Sequence, residues 1–415
     1  MEGVRRVLII CYYFPPLGLA GVTRPVQLFK RLATHGYECH VLTVKPVAYY
    51  AYEPELIAGE DQTRIHRAGS YDTQRLMHLC RLRRVSDSTT TVAQRLKSSV
   101  FPDSKRGWIG PAARLGLRLM KDQSFNLLVS TSPPISAHLV ASRLNTETGV
   151  KWVADFRDLW TTDSIESSYA NAHLIEKGRA LLGDIRARAT SMTAVNRSIA
   201  EYVGAPNVIT NGLDPETAKL WSAEADSGRF VVGLLGTFND QLPVEPLLKC
   251  LAVVRDSRKE MFDRVRLVQV GRVDQKWMSA WLAKYGLADR CEMHGLQSRE
   301  KTVELLNGSS LFYLGVQPGW GDRITTARVY DLLASGRPIL AYAQRNSELT
   351  LLLENKTNCR TFADDTISEA TEFVASLVTR HSGEKQRFEP MPEYARPYSW
   401  DNVTAQFAEL FDKLV

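Results

Sequence analysis

The sequence predicts an α/β chain of two doubly wound, Rossmann-like domains whose sheets face a cleft. Three observations carry that expectation. Strand-like and helix-like segments alternate from end to end, the alternation resets once near Asn207, and each half has a buried strand running through a glycine-bearing loop into an amphipathic helix. At 415 residues the chain exceeds one compact core and suits two domains of roughly 200 residues each.

The elements follow in order. Val7 to Cys11 is apolar and β-branched, as a parallel strand covered on both faces requires. Val26 to His35 reads as a helix stopped by Gly36, and Glu38 to Val44 as the next strand. Asn126 to Ser130 is a strand closing in Pro133-Pro134. It is followed by a helix over Ala137 to Glu147, a strand over Lys151 to Asp155, a helix over His173 to Arg188, a strand over Ser191 to Val195 and a helix over Ser198 to Val203. Asn211-Gly212 is a turn signal, and a polar stretch follows up to Arg229.

The second alternation begins with the strand Phe230 to Leu235, ended by Gly236. The helix Pro246 to Arg255, the strand Val265 to Val270 before Gly271, the helix Trp277 to Tyr285 and the short strand Cys291 to His294 come next. The helix Glu300 to Leu306, the strand Leu311 to Leu314, a glycine-rich loop, the helix Ala327 to Ala334 and the strand Pro338 to Ala341 complete it. In the tail, Val403, Phe407, Leu410, Phe411 and Leu414 have helical spacing, which suits a last helix crossing back to the first domain. The expected divisions are 1–210, 211–390 and a returning segment 391–415.

Composition narrows the class. Hydrophobic content of 44% and charged content of 24% are those of a soluble globular protein. No apolar run approaches the roughly 20 residues of a spanning helix, and the N-terminus lacks the pattern of a signal peptide, so the expected location is cytoplasmic. Cys11, Cys39, Cys80, Cys250, Cys291 and Cys359 stand singly without zinc-site spacing, which predicts reduced and mostly buried thiols. The net charge of +6 is uneven: from Arg75 to Lys121 eleven basic residues face two acids, Asp87 and Asp103. With Leu, Met, Val, Phe and Trp among the charges, this stretch suits anionic lipid headgroups, placing the protein peripherally on the inner face of the membrane. A solvated helical face and a nucleic-acid footprint are the alternatives, and no nucleic-acid module is recognisable.

Two loops carry the candidate chemistry. In VLIICYYFPPLGLAGVTR, Gly18 and Gly21 let the backbone approach a ligand, and the helix from about Thr23 offers free N–H groups to an anion. An ordinary connection without ligand is the competing reading. In GVQPGWGDRITTARVYDLLASGRPILA, Gly319 and Gly321 loosen the chain, Thr325 and Thr326 are caps, and Arg328 and Asp331 lie one turn apart. Arg328 with backbone N–H groups suits a diphosphate and Asp331 suits ribose hydroxyls; a capped helix with an ion pair is the alternative.

YYFPPLGLAGVTR, FPDSKRGW, STSPP with His138, KWVADFRDLW, ITNG and ARVYDLLASGRPILA, in this order and nearly end to end, resemble retaining glycosyltransferases of the GT-B fold. They look most like the bacterial group that builds exopolysaccharide, capsule or lipopolysaccharide. The resemblance implies transfer of a sugar, with retention, from a nucleotide diphosphate sugar held mainly by the second domain. A family glutamate at the position of Asp331 holds the ribose, and a basic residue at Arg328 contacts phosphate. The family's earlier glutamate falls at Arg323. After Gly236 and Thr237, where many relatives carry Arg and Lys for the diphosphate, this chain has neither, leaving Arg272 and Arg24 as substitutes.

On the acceptor side, Asp155, Arg157 and Asp158 follow a strand, where α/β sheets place ligands. One carboxylate would orient or deprotonate the acceptor hydroxyl. A buried ion-pair network is the competing reading, and His138 is either functional or a plain helix histidine. No DxD stands in these loops, and Asp364-Asp365 reads as a helix cap, so neither metal nor other cofactor is expected. The expected function is a glycosyltransferase using a UDP-sugar, or another nucleotide sugar, on a saccharide or lipid-linked saccharide acceptor. Its rivals are a nucleotide-sugar epimerase or hydrolase, and a degenerate scaffold subunit that has lost catalysis. A dehydrogenase is disfavoured, because the first loop is not GxGxxG.

Overall fold

The computed structural model describes residues 4–18, 20–49, 51–81, 101–159, 172–226, 228–381 and 386–415. The chain divides into two compact units, Met1–Asn211 with Trp400–Val415, and Gly212–Ser399.

The first unit holds a seven-stranded sheet of β1 (Arg5–Ile10), β2 (Tyr37–Val44), β3 (Ile65–Ala68), β4 (Leu127–Ser132), β5 (Lys151–Phe156), β6 (Ser191–Ala194) and β7 (Asn207–Val208), in the order β3-β2-β1-β4-β5-β6-β7. Every pairing is parallel. The central strands are buried along nearly their whole length, which explains their unbroken apolar runs. The strand order reverses between β1 and β4, so the loops after these two strands flank the switch point where doubly wound sheets bind ligands.

The connecting helices are α1 (Ala20–Arg31), α2 (Thr73–Leu79), α3 (Arg106–Asp122), α4 (Ser136–Thr148), α5 (Ala172–Arg188) and α6 (Arg197–Val203). The helix expected from about Thr23 already begins at Ala20, so Gly21 and Arg24 lie inside it. Pro25 lies past the first turn and offers no N–H to the Gly21 carbonyl, which accepts from Arg157 Nη1 instead. β3, α2 and α3 escaped the sequence reading, since short or charge-interrupted segments show little periodicity.

The basic stretch lies only partly within the described residues: 82–100 fall outside them. Within α3, Trp108, Ala112, Ala113 and Gly116 are buried while Arg106, Arg114, Arg118 and Lys121 are exposed. Trp108 therefore packs edge-on against Tyr12 in the interior and is not available to a lipid surface, a correction to the expected basic and aromatic face.

The second unit holds β8 (Phe230–Leu235), β9 (Val265–Val270), β10 (Cys291–Met293), β11 (Ser309–Gly315), β12 (Ile339–Tyr342) and β13 (Cys359–Phe362), all parallel, in the order β10-β9-β8-β11-β12-β13. Its switch point lies between β8 and β11. Around it run α7 (Glu245–Ser257), α8 (Gln275–Lys284), α9 (Arg299–Leu306), α10 (Arg328–Ala334), α11 (Glu348–Leu353) and α12 (Ile367–His381). Asp364 and Asp365 stand in a short 3-10 turn just before α12.

The last helix, α13 (Trp400–Asp412), belongs to the first unit, as its apolar spacing anticipates. Trp400, Val403, Phe407 and Phe411 enter the core formed by β1, β2 and α1. At its end Asp412 pairs with Arg5 and accepts from the Tyr37 hydroxyl at 2.6 Å. All six cysteines are free: Cys11, Cys39, Cys250 and Cys359 are buried, Cys291 is half-buried and Cys80 is exposed. Among the described residues no helix is long and apolar enough to cross a membrane.

Phe407 is fully buried and its ring lies 4.8 Å from the Arg24 guanidinium carbon. Phe407→Ala is expected to destabilise the first unit by about 3–5 kcal/mol, the range for aromatic truncation in a core. Denaturant titration of the intact chain checks this, and a loss below about 1 kcal/mol would mean that α13 only rests on the surface.

Candidate functional site

In the second unit, the candidate donor residues converge on the C-terminal ends of β8, β9 and β11. β8 stops at Gly236, whose φ of +98° needs glycine, and a Cβ there would meet Arg328 Nη1 at 2.6 Å. Gly271 stands directly beside it: a Cβ on Gly271 would lie 2.6 Å from Gly236 Cα. The two glycines are thus required by each other and by Arg328.

Arg328, in the first turn of α10, reaches back across the sheet end. Its Nη1 donates to the carbonyls of Leu235 at 2.7 Å and Thr237 at 3.0 Å, and its Nε to Thr326 Oγ1 at 3.1 Å. The guanidinium lies over Phe238, 5.4 Å from the ring centroid, and Phe238 stacks on Tyr313. Burial lowers its pKa to about 10, with Tyr313 opposing, so it stays charged at neutral pH. Nη2 is buried and meets no acceptor among the described residues.

Asp331, half-buried one turn later, accepts no hydrogen bond from the described residues. Burial raises its carboxyl above the usual range and Asp214 adds to this, while Arg299 opposes. No i,i+3 ion pair with Arg328 forms: the arginine is committed to the β8 turn, which disposes of the alternative reading of this helix. Thr325 and Thr326 are half-buried in the approach to α10. Arg272 is exposed at the end of β9, where its carbonyl accepts from Phe238 N at 3.3 Å. Gln269, next to last in β9 and fully buried, also belongs to this group; its Nε2 donates to the Gly236 carbonyl at 3.2 Å. The sequence signal for it was a glutamine between two valines near the end of an interior strand.

The first unit is arranged differently. Asp155 ends β5 without any exposure, and its two oxygens accept from Arg24 Nε at 3.0 Å, Arg24 Nη2 at 2.7 Å, Thr131 Oγ1 at 2.7 Å and Thr193 Oγ1 at 2.7 Å. Burial would raise its pKa, but the Arg24 charge and these hydrogen bonds hold it below the usual carboxylate range. Arg24 Nη1 donates to the Thr210 carbonyl at 2.6 Å, and Nη2 donates also to the Ile209 carbonyl at 2.8 Å. The pair ties α1, β4, β5, β6 and the chain after β7 together.

Three expectations are corrected here. Every nitrogen of Arg24 is engaged within the first unit, and Asp155 has neither access nor a free lone pair for acid–base work. His138 is fully buried, with Nδ1 2.7 Å from Ser130 Oγ, which accepts from Trp152 Nε1 at 2.7 Å. Burial takes the imidazole down to about 3, so it is neutral at physiological pH and out of reach of any substrate.

Arg157 is also structural. It donates from Nε to the Ser132 carbonyl at 3.0 Å, from Nη2 to the Pro133 carbonyl at 3.2 Å and from Nη1 to the Gly21 carbonyl, so Gly21 serves as an anchor for the arginine. At Gly18 a Cβ would meet the side chain of Glu53, which lies against the glycine. Of the acceptor-side cluster only Asp158 is exposed. The surrounding protein raises its carboxyl above the usual range, with Arg157 opposing. Among the described residues no group of three or more His, Cys, Asp or Glu is arranged to hold a metal ion.

Asp155→Asn is expected to cost about 3–5 kcal/mol, since it leaves Arg24 buried without its counter-charge. A carboxylate depressed in the native state stabilises above its unfolded pKa of about 3.9 and loses that contribution as pH falls through the native value. The gap between wild type and variant should therefore be full above about pH 4 and close below it. Unfolding curves across pH check this; unchanged stability with abolished turnover would restore Asp155 to a catalytic role.

No protein-family model and no curated protein sequence matches the chain. Solved structures do. Sucrose-phosphate synthase from Thermosynechococcus elongatus aligns over 99% of this chain and 99% of its own, with a TM-score of 0.68 at 12% identity. The α,α-trehalose 6-phosphate synthase from Burkholderia multivorans covers 99% and 97%, with 0.61 at 11%, and the lipopolysaccharide outer core galactosyltransferase WaaB in its apo form covers 99% and 100%, with 0.58 at 13%. At such identities the likeness establishes the fold, which is GT-B.

Proposed function

We propose that this GT-B chain is a glycosyltransferase that moves a sugar, with retention, from a nucleotide diphosphate donor to a saccharide or lipid-linked saccharide in cell-surface polysaccharide synthesis. The observation that carries the reading is the buried Nη2 of Arg328, a charged donor without an acceptor at the ligand end of the second sheet. A diphosphate satisfies it. Asp331, with no hydrogen bond of its own, suits ribose hydroxyls one helical turn away. The named activities of the solved relatives support transfer of a sugar as the reaction class, and the sequence resemblance supports UDP as the nucleotide.

In the reaction the bond from the sugar's anomeric carbon to the diphosphate oxygen breaks and its electron pair leaves with the diphosphate. The acceptor hydroxyl oxygen forms the new bond on the same face and its proton passes to the departing diphosphate oxygen. Arg328 meets the charge that develops on the leaving group, and because its guanidinium is already fixed by two carbonyls and Thr326 it needs no rearrangement to do so. Arg272 and the turn at Gly236 and Thr237 complete the diphosphate contacts, and Asp158 is the remaining acceptor-side carboxylate. With the charge met by protein groups, the reaction is proposed to need no metal and no other cofactor.

A second reading, a nucleotide-binding subunit without catalysis, is favoured by Arg323 in place of the family glutamate and by the closure of the Asp155 cluster. The protein is placed in the cytoplasm, peripheral on the inner face of the membrane, on the support of the exposed Arg106, Arg114, Arg118 and Lys121 of α3. Each cation near an anionic surface contributes about 1 kcal/mol.

Thermal-shift titration with UDP, GDP, ADP, CDP and dTDP, with and without EDTA, tests the donor site. One diphosphate should raise the midpoint, by the equivalent of about 2.7 kcal/mol at a hundred times Kd, unaffected by EDTA. Arg328→Met and Asp331→Asn should each weaken binding at least about tenfold, the worth of a hydrogen bond to a charged group. Nucleotide binding without sugar transfer to any saccharide acceptor would select the second reading. For the membrane, Arg114→Glu with Arg118→Glu should reduce pelleting with phosphatidylglycerol vesicles; equal pelleting of wild type with neutral vesicles defeats that placement.

A further inference from the structure

The turn that follows β8 has each of its three carbonyls drawn toward a protein donor. Leu235 and Thr237 point theirs at Arg328 Nη1, at 2.7 and 3.0 Å, and Gly236 points its own at Gln269 Nε2, at 3.2 Å. In a trans peptide the C=O and the following N–H point in opposite directions. The Gln269 hydrogen bond therefore turns the Thr237 N–H away from the sheet interior, and that N–H meets no acceptor among the described residues. Its neighbours are engaged: Gly236 N donates to Val270 O at 2.7 Å and Phe238 N to Arg272 O at 3.3 Å.

We infer that Gln269 is a positioning residue, which orients the Gly236–Thr237 peptide so that the Thr237 N–H joins Arg328 Nη2 in receiving the donor's diphosphate. The inference rests on the donor-site reading above and goes beyond it, since Gln269 itself touches no substrate.

The amide is expensive where it stands. Gln269 has no exposure and its Oε1 is buried without a donor, an arrangement that costs stability and that an apolar residue would remove. Its orientation is not interchangeable, because the flipped amide would set an oxygen against the Gly236 carbonyl. Close packing at Gly271 leaves no side chain there to support the turn, so Gln269, one strand over and two residues earlier, is what holds the peptide. Two donors with no acceptor, a backbone N–H and a guanidinium nitrogen, at one strand end form an anion site built from a backbone turn and a single buried cation.

Gln269→Met keeps the length and removes the donor. The probes are the nucleoside diphosphate that shifts wild type most and the corresponding nucleoside, measured by calorimetry well below the thermal midpoint. The diphosphate should bind the variant about tenfold more weakly, and the nucleoside should bind both proteins within twofold, because only the phosphate contact is lost. The thermal midpoint without ligand should hold or rise. Equal diphosphate affinity in wild type and Gln269→Met, with Arg328→Met still impaired, overturns the positioning role and leaves the donor site standing. Equal losses for diphosphate and nucleoside also overturn it, by showing general damage. If wild type binds no diphosphate, the donor-site reading fails and this inference with it. Should Gln269→Met not fold, Gln269→Asn, whose amide is one methylene too short to reach Gly236, decides by the same comparison.

Discussion

A guanidinium taken out of water has five N–H donors to place, and how this chain places them governs what each unit can do. Arg24 uses every nitrogen on Asp155 and two carbonyls. Arg157 uses all of its own on the carbonyls of Ser132, Gly21 and Pro133. Arg337, buried in the second unit without a carboxylate, is satisfied by the carbonyls of Ser309, Ser335, Ser222 and Asn307 and lies between Trp221 and Phe388. Arg328 follows the same plan except that one nitrogen is left over. The first three are internal struts, whereas the fourth is a strut with a vacancy.

That difference separates two strand ends with the same topology. Both sheets reverse order beside their first strand, and both carry an arginine in the first turns of the helix after a switch-point strand. In the first unit a carboxylate from β5, two strands along the sheet, closes on the arginine, and two threonines complete the carboxylate's shell. In the second, the residues facing Arg328 are glycines and carbonyls, so nothing neutralises it. A buried cation balanced internally contributes to folding; a cation left unbalanced at a sheet end holds its charge for something that arrives later.

The alternation of strands and helices was legible in the sequence because central strands buried on both faces cannot help being apolar. The turns at Gly236 and Gly271 were legible for a related reason: each glycine directly follows a strand, and local rules apply there. What could not be read was which polar side chains turn inward to meet partners far along the chain. Arg24 and Asp155 are 131 positions apart, and neither loop shows that it will spend itself on the other. FPDSKRGW also turns its polar groups toward distant partners. Asp103 accepts from Ser136 at the start of α4, Lys105 stands 4.9 Å from the Tyr12 ring beside Asp72, and Trp108 packs on Tyr12, so the motif marks a structural knot. Similar spacing in distant relatives can reflect such knots as readily as substrate contacts.

The unbalanced cation has a thermodynamic consequence. Burial has already lowered the pKa of Arg328 to about 10, which means that folding carries part of the desolvation of the positive charge before any ligand binds. An anion entering later gains the interaction without that part of the cost and without reorganising the turn, whose carbonyls are already committed. The same logic explains why the residue is held by neutral carbonyls and not by a carboxylate. A carboxylate would stabilise the empty protein more, but it would cancel the charge that the proposed diphosphate would meet and would have to be displaced whenever that ligand bound. Carbonyls fix the geometry and leave the charge intact, so stability is given up in the empty protein, and on the proposed function that charge is what would stabilise the departing diphosphate.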